Sequence, residues 1–579
     1  MDAEIATALA QLNKLKEQRN DVERLLHSNS VPSEAQVAEI HRSIKEKEAD
    51  LERFQGEIDS TNIALSSLLN ARDQLIKIEE EWTTAEASQD TDVFFDVLEE
   101  HSELTLDRLN ADIEAHKAAL LQLASKREAT TIAIEDQKSV LSPIRRVPVE
   151  VLVEIFLRCL PDDHFVKPST QSAPLLLTQI CQNWRHLSLS IGRLWASISV
   201  EINKERCSPH PLLIASWLAR SGALPLSFQL IDRLTLEDVT QHQPPFTAPP
   251  IIARFIPYLN RWHTVHLDFS DWRVNTGLDA LIAGGPPPLL ESLSIWRDFW
   301  IKEDSNSLRV LLSAPRLHDL TWAARHSQLD PMAIVVLSKM TSIRIEYFVP
   351  LDNFYTVLKH SPSLLTCRFS VHKESPVLDT LPIIVPQLRS LDLSVGGSLD
   401  TVFQKFTAPS LTQLRISKAL VFPALAGERF WYANQVSSFI SASVSGIKHL
   451  EFLNVDITSS ELIDLLKQLS SSLNHLTVSD DGSRYPVNDE VLQALTRQID
   501  EADNLCPNLE YLKLWGCIQS TDGLLADMVQ SRWNPSVLST TIKRLEMVFV
   551  MLRPLADYAE DVGRLKRLND SRLGSITIM

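Results

Sequence analysis

Side chains capable of covalent or metal chemistry are present in this chain but scattered along it. Of the 16 histidines, His263 and His266 are close, and His242 precedes them in a Gln- and Pro-rich stretch. No third or fourth ligand follows at the spacing that a metal site needs. The six cysteines, Cys159, Cys181, Cys207, Cys367, Cys506 and Cys517, include no CxxC pair. G-x-S-x-G, P-loop, G-x-G-x-x-G and H-E-x-x-H patterns are missing, and 15 glycines are too few and too dispersed to cradle a phosphate. The expectation is a protein without catalytic residues, metal or cofactor. What does recur is a set of short alternating segments whose outward positions are mostly polar and include Arg, Tyr and Trp, residue types that dominate protein-binding hot spots.

The chain that must position these residues has 579 of them, too many for one core, and length alone suggests roughly three or four domains. Its net charge of -18 repels nucleic-acid backbones and anionic membranes. The acidity is local: residues 1 to 141 hold 15 Lys/Arg against 30 Asp/Glu, a balance of -15, which leaves -3 for the remainder. No stretch is apolar and long enough to span a membrane, and the first residues, MDAEIATALAQLNKLKEQ, are amphipathic and acidic. Without a secretory signal or paired cysteines, a reducing cytoplasmic or nuclear setting is expected.

The N-terminal region has the apolar spacing of coiled helices. One series of a and d positions runs Ile5, Ala8, Leu12, Leu15, Arg19, Val22, Leu26. A second runs Val37, Ile40, Ile44, Lys47, Leu51, Phe54, Ile58, Thr61, Leu65, Leu68, Arg72, Leu75. Pro32 breaks the helix between them, and Ser33 with Gln36 has the spacing of a capping box. A helical hairpin over residues 1–78 is expected. Residues 79–103, with ten acidic and no basic residues, read as a solvated linker, the competing reading being an acidic docking segment anchored by Phe94 and Phe95. A third series from Leu106 to Leu141 forms a helix over 104–141. Self-association and an intramolecular antiparallel bundle satisfy these patterns equally, so a homo-oligomer through the coil stays open.

From Ser142 the chain reads SPIRRVPVEVLVEIFLRCL, then LTQICQNWRHL from Leu177 to Leu187, then Leu194 and Trp195. Pro148 suits a first helical turn, and behind it only Glu150, Glu154 and Arg158 are polar, a narrow stripe at i, i+4, i+8. The rest of that helix is apolar on more sides than a small helical unit can cover. The Pro148, Glu150, Leu152, Ile155, Phe156 run, the Cys181, Trp184, Arg185 run and Leu194-Trp195 together resemble the F-box. In wording the stretch is similar to the F-box family of mushroom-forming fungi. The resemblance covers residues 142–198. It implies a three-helix hook that docks on the Skp-type adaptor of a cullin-RING ubiquitin ligase, with Pro148, Leu152, Ile155, Phe156 and Leu160 in contact and Trp184 packing the helices and bordering the interface. Val147 where the family usually has Leu, and the long interhelix loop Pro161 to Pro174, are departures.

Beyond Trp195 a phrase recurs: apolar-x-x-apolar-x-apolar, led by Pro two residues earlier. Copies span Pro287–Ile295, Pro315–Trp322, Pro362–Phe369, Pro386–Leu393, Pro409–Ile416 and Pro507–Leu514. Chance supplies roughly 0.6 such Pro-led copies at ordinary residue frequencies. Less complete copies begin at Trp262, Met340, Leu450, Leu473 and Ile542, giving a repeat of about 24 residues with insertions. This resembles the leucine-rich repeat, although only Cys517 fits that family's Asn/Cys position. Alternation turns the last two apolar residues of each phrase inward and aligns the x residues in rows on the opposite face. Arg344, Arg368, Arg415, Tyr511, Lys513 and Trp515 stand out there as a substrate-binding surface.

The expected architecture is α/β: an α-helical coiled-coil region, a small three-helix F-box over 142–198, then an irregular leucine-rich-repeat-like α/β solenoid over 199–579. The function implied by the resemblance is that of a substrate-recognition adaptor, its F-box binding the Skp-type adaptor and through it a cullin, its repeats binding a protein substrate. The alternative is an interaction scaffold, outside any ligase, that uses the coil and the repeats.

Overall fold

The computed structural model of the chain describes residues 22–26, 31–86, 92–242, 244–269, 271, 276–297, 302–323, 337–372, 382–399, 402–419, 430–498, 504–533, 543–570 and 575–579. The protein is mixed α/β, with long N-terminal helices and one large, mostly parallel sheet. It divides into two compact units, Met1–Asp162 with Ser169–Leu194, and Asp163–Pro168 with Trp195–Met579.

In the first unit, helix α1 (Glu34–Glu86) and helix α2 (Asp92–Val140) run antiparallel, since Ser43 meets Gln137 and Gln55 meets Arg127. With 53 residues, α1 is about 80 Å long. Every a and d position of the second series is buried or half-buried while most of its neighbours are exposed, as a coiled seam requires. Ser33 and Gln36 exchange the two capping-box hydrogen bonds, at 2.9 and 3.3 Å. The second series packs on the third, and the described end of the first packs on both: Leu25 lies in a small core with Ile40, Ile44, Ile134 and Val140, with Val22 and Leu26 against it; Ile5 to Arg19 lie outside the described residues. The expected linker is corrected: residues 79–86 and 92–103 are helical. No Pro or Gly interrupts that stretch, and acidic side chains are stabilising near a helix N-terminus such as Asp92. The side chains of Phe94 and Phe95 lie outside those described.

After α2 the chain turns through a short 3-10 stretch (Pro143–Arg146) into α3 (Val149–Arg158), α4 (Leu177–Ile180) and α5 (Gln182–Ser190). Arg145 is buried, its guanidinium donating to the Leu25 carbonyl at 2.6 Å and the Ser139 carbonyl at 3.1 Å.

The second unit is built on strands β1 (Ser197–Ile202), β2 (Cys207–Ser208), β3 (Leu226–Asp232), β4 (Trp262–Phe269), β5 (Ser292–Arg297), β6 (Asp319–Ala323), β7 (Ser342–Pro350), β8 (Thr366–His372), β10 (Ser390–Gly396), β12 (Gln413–Lys418), β13 (His449–Leu453), β14 (His475–Ser479), β15 (Tyr511–Trp515), β16 (Met547–Met551) and β17 (Ser575–Ile578). They form one 15-stranded sheet in chain order, parallel throughout except that β2 folds back on β1. β9 (Ile383–Ile384) and β11 (Phe406–Thr407) pair separately.

The recurrent phrase has a physical reading at each position. In Ala314-Pro315-Arg316-Leu317 the Leu317 N–H closes a turn on the Ala314 carbonyl, and Leu364, Leu388, Leu411 and Leu509 do likewise. The recurrent Pro of each copy thus sits at the second turn position, for which its fixed φ is suited. The last two apolar residues are strand residues facing inward: Leu391 and Leu393, for example, are both 0% exposed. At the strand starts one carbonyl of each repeat accepts two successive N–H groups of the next: His318 from Thr341 and Ser342, Thr341 from Leu365 and Thr366, and so on to Glu510 from Glu546 and Met547. This ladder fixes the register.

Helices or turns return behind the sheet and cover its apolar side. Phe354, in the helix Leu351–His360, packs on Phe369 of β8 at 5.2 Å, and Trp431 on Phe452 of β13 at 5.3 Å. Between that helix and the helix Ala433–Ser441, which Trp431 precedes, the small β9–β11 pair takes the helical place, and Phe406 of β11 joins Phe354 to Phe439.

Two expected repeat positions shift. Leu450 and Phe452 align with Leu414 and Ile416, so the phrase begins at Ile447 rather than Leu450. Val548 and Val550 align with Leu512 and Leu514, so the last phrase begins at Leu545 rather than Ile542. The expected boundary at 198 also moves. Trp195 belongs to the sheet unit, packed on Trp217 at 4.7 Å with the Arg220 guanidinium 4.6 Å over its ring. The loop residues Asp163–Pro168 belong there too: the Ser199 N–H donates to the Val166 carbonyl at 2.8 Å. An interhelix loop that gains strand-edge hydrogen bonds is held by them rather than left solvated.

Candidate protein-interaction surfaces

The first surface is on α3. Pro148 opens the helix in an extended conformation, its carbonyl accepting from the Val151 and Leu152 N–H groups. Leu152 and Phe156, one helical turn apart, are 3% and 0% exposed. The Phe156 ring lies 4.8 Å from that of Trp184 on α5. Cys181 starts α5 in an extended conformation, its Sγ accepting from the Trp184 N–H at 3.4 Å, and Arg185 donates back to the Thr178 carbonyl at 2.7 Å. These contacts hold three short helices together.

Of the six side chains expected to face an adaptor, Pro148 and Ile155 are exposed, and Leu160 and Trp184 are half-buried. Leu152 and Phe156 are not exposed: they fill the space between the helices. Val151 at 48% and Ile155 at 39% exposed form the neighbouring i, i+4 pair, about 100° around the helix. Val149, Ile144, Leu176 and Ile180 are exposed as well. That Leu176 and Ile180 share this character went unread in the sequence, although their own i, i+4 spacing in LLLTQI carries it.

The second surface is the face of the sheet opposite its helices. Strand pairing brings the middle x residues into one row: Arg344 of β7, Arg368 of β8, Asp392 of β10, Arg415 of β12, Glu451 of β13, Thr477 of β14, Lys513 of β15 and Phe549 of β16. Arg344, Arg368, Arg415 and Lys513 therefore do share a row. Their electrostatics differ. Arg368 bridges Glu346 at 3.3 Å and Asp392 at 2.8 Å, and Arg415 lies 3.8 Å from Asp392 and 3.7 Å from Glu451. Among the described residues Arg344 and Lys513 have no carboxylate partner.

Tyr511 falls in the adjacent row, where rings stack from strand to strand: His449 on His475 at 5.2 Å, and His475 on Tyr511 at 3.8 Å and nearly parallel. Trp515 is half-buried, with the Lys513 ammonium 5.5 Å over its ring. His449, Glu451, Met547 and Phe549 went unread because the copy at Leu450 was placed three residues late and the copy at Ile542 three residues early. Ile447-x-x-Leu450-x-Phe452 fits the phrase and would have found the first two.

Burial, the neighbouring His449 and the Lys513 ammonium push the His475 imidazole down to about 4. Because this lies below the ordinary value of 6.5, the neutral ring contributes stability that is complete above about pH 6.5 and is lost as pH falls toward 4. Amide protection in β13 to β15, relative to the intrinsic exchange rate at each pH, is accordingly expected to fall between pH 6.5 and 4. His475→Gln should flatten that pH dependence. Equal pH dependence in both proteins would remove His475 as its source.

Among the described residues no three His, Cys, Asp or Glu side chains are grouped to hold a metal ion, and none of their helices is long and apolar enough to cross a membrane. The four cysteines buried in the sheet unit have thiols pushed up by burial, Cys207 to about 11 and Cys506 and Cys517 to about 12. They are packing residues there, since the thiolate is the nucleophile. The arrangement is that of a mixed α/β protein with two faces suited to binding. No protein-family model and no curated protein matches the chain.

Proposed function

We propose that the chain is an F-box-type adaptor: α3 to α5 dock on a Skp-type protein, and the repeat sheet, read as an irregular leucine-rich-repeat-like solenoid, holds a protein substrate for ubiquitin transfer by a cullin-bound enzyme. The observation that carries this reading is the division of α3 into two faces. Leu152 and Phe156 bind the helices to one another, while Val151 and Ile155, on the neighbouring face, remain apolar and uncovered on a helix of only ten residues. Exposed aliphatic side chains in a cluster mark an interaction site. The sheet contributes proximity rather than bond chemistry.

Affinity purification of the tagged full chain tests the proposal. A Skp-type adaptor recovered with a cullin is the expected result. Recovery of the adaptor without a cullin would favour a scaffold outside the ligase, and recovery of neither would end the adaptor reading.

A further inference from the structure

The outward face of the sheet changes character toward its C-terminal end. On β8, β10 and β12 no outward side chain is apolar, and Arg368 and Arg415 spend their charge on Asp392. On β15 and β16 the outward residues are Tyr511, Lys513, Trp515, Met547, Phe549 and Met551: three aromatic rings and two methionines around one cation. Their inward neighbours Leu512, Leu514, Val548 and Val550 are at most 1% exposed, so alternation leaves these six on the open side. None of the six is buried, and Met547 is 41% exposed. A contiguous apolar cluster left open on a protein surface marks an interaction site.

Lys513 lies in the middle of the cluster, in register with Thr477 on one side and Phe549 on the other. The outward positions of the flanking strands β14 and β17 hold no carboxylate. In its own row the nearest one, Glu451, is two strands away, about 10 Å, and Arg415 lies 3.7 Å from it. The Lys513 ammonium instead lies 5.5 Å over the Trp515 ring. Any partner that covers the rings takes this ammonium out of water, and a charge taken out of water must be paired. The partner therefore has to bring a carboxylate. The cluster is also longer along the strands than across them: Tyr511 to Trp515 spans about 13 Å, and β15 to β16 about 5 Å. An extended segment lying along β15 turns every second side chain toward the sheet, at the same step of about 6.6 Å that separates Tyr511, Lys513 and Trp515.

We propose that β15 and β16 bind an extended protein segment of the pattern apolar-x-acidic-x-apolar, its carboxylate on Lys513, one apolar side chain against Tyr511 and Met547 and the other against Trp515 and Met551. The proposal rests on the adaptor reading insofar as that segment belongs to the substrate. Single-stranded nucleic acid fits this surface less well. It needs several cations for its phosphates and free ring faces for its bases, whereas the cluster holds one Lys, and one face of Tyr511 is already stacked on His475 at 3.8 Å.

Fluorescence anisotropy on the full chain tests this with four labelled probes: a Ser-rich peptide with Phe, Glu and Leu at alternate central positions, its Gln-for-Glu counterpart, its counterpart with Ser for both Phe and Leu, and an oligouridylate of equal length. The Phe-Glu-Leu peptide is expected to bind at least fivefold more tightly than each of the other three. Lys513→Met, which keeps the apolar volume, should bind the Glu and Gln peptides alike. Met547→Ser should weaken the Glu peptide at least threefold, while Lys359→Gln, on the helix Leu351–His360, should not. Equal binding of Glu and Gln peptides by the parent protein, undiminished binding of the all-Ser counterpart, tighter binding of the oligouridylate, or a preference for Glu that survives in Lys513→Met would each overturn the proposal. Adaptor capture by the same preparations separates the two failures: capture without Glu-peptide binding refutes this inference alone, and peptide binding without capture refutes the adaptor reading alone.

Discussion

Replacing Val151 and Ile155 together by Asp is expected to abolish capture of a Skp-type adaptor while the chain stays folded. Both side chains are exposed, so in the free protein the new carboxylates meet water and cost the fold little. In a complex they would have to be buried. Losing two aliphatic contacts forfeits about 3 to 6 kcal/mol, and leaving a carboxylate unpaired in an apolar interface adds to that. The affinity should therefore fall by at least about a hundredfold. Phe156→Ala makes the contrasting case. Its ring is fully buried against Trp184, so its loss should cost about 3 to 5 kcal/mol of local stability and reduce capture only by loosening the helices. Capture by surface-immobilised adaptor, read beside amide exchange in α3 to α5, separates the two. Undiminished capture by the double Asp variant would remove this face from the interface.

Arg532→Met is expected to be the most damaging single change within the sheet unit. Arg532, on the helix Leu524–Trp533, is 2% exposed and donates to the carbonyls of Leu495, Leu505 and Cys506, the last at 2.9 Å. Burial pushes its guanidinium down to about 10, still charged at neutral pH. Leu495 ends the helix Asp489–Leu495, so one of these bonds satisfies a helix-terminal carbonyl and places positive charge where the helix dipole favours it. The other two fasten the chain just before the Pro507 phrase. Met fills similar volume but donates nothing, leaving the Leu495 and Leu505 carbonyls without this donor at about 1 to 3 kcal/mol each, while the Cys506 carbonyl keeps the Leu509 N–H. A loss of about 2 to 6 kcal/mol is expected. Faster amide exchange and new protease cleavage should appear in residues 489–509, with adaptor capture unchanged. If exchange there matched the parent protein, the pin would be dispensable.

These two sites were not equally readable. The N-terminal coil was legible because a seam of twelve positions repeats one local rule, and each position is indeed buried or half-buried. The capping box at Ser33 and Gln36 is a rule of four residues and held for the same reason. The acidic stretch misled because charge reports solvation, and a solvated segment without Pro or Gly is free to be helical. The sheet phrase was legible where Pro marked its turn. Where Pro was lacking, at Ile447 and Leu545, an apolar residue three positions later (Leu450) or earlier (Ile542) offered an equally good start, and only pairing with the neighbouring strand decides between them.

The sequence by itself determined that the N-terminal seams are helical, that the recurrent phrases end in strands, and that the x residues of successive repeats form rows. Those properties depend on 3.6- and 2-residue periodicities, which are local. Tertiary structure alone decided which apolar side chains of α3 are spent between helices and which remain free, because a helix apolar on most sides has no face marked in its own pattern. It likewise decided that Arg368 and Arg415 spend their charge on Glu346, Asp392 and Glu451 while Arg344 and Lys513 keep theirs. Those partners lie about 22 to 36 residues apart in the chain and within 4 Å in space, a relation set by the length of each return behind the sheet rather than by any residue's neighbours.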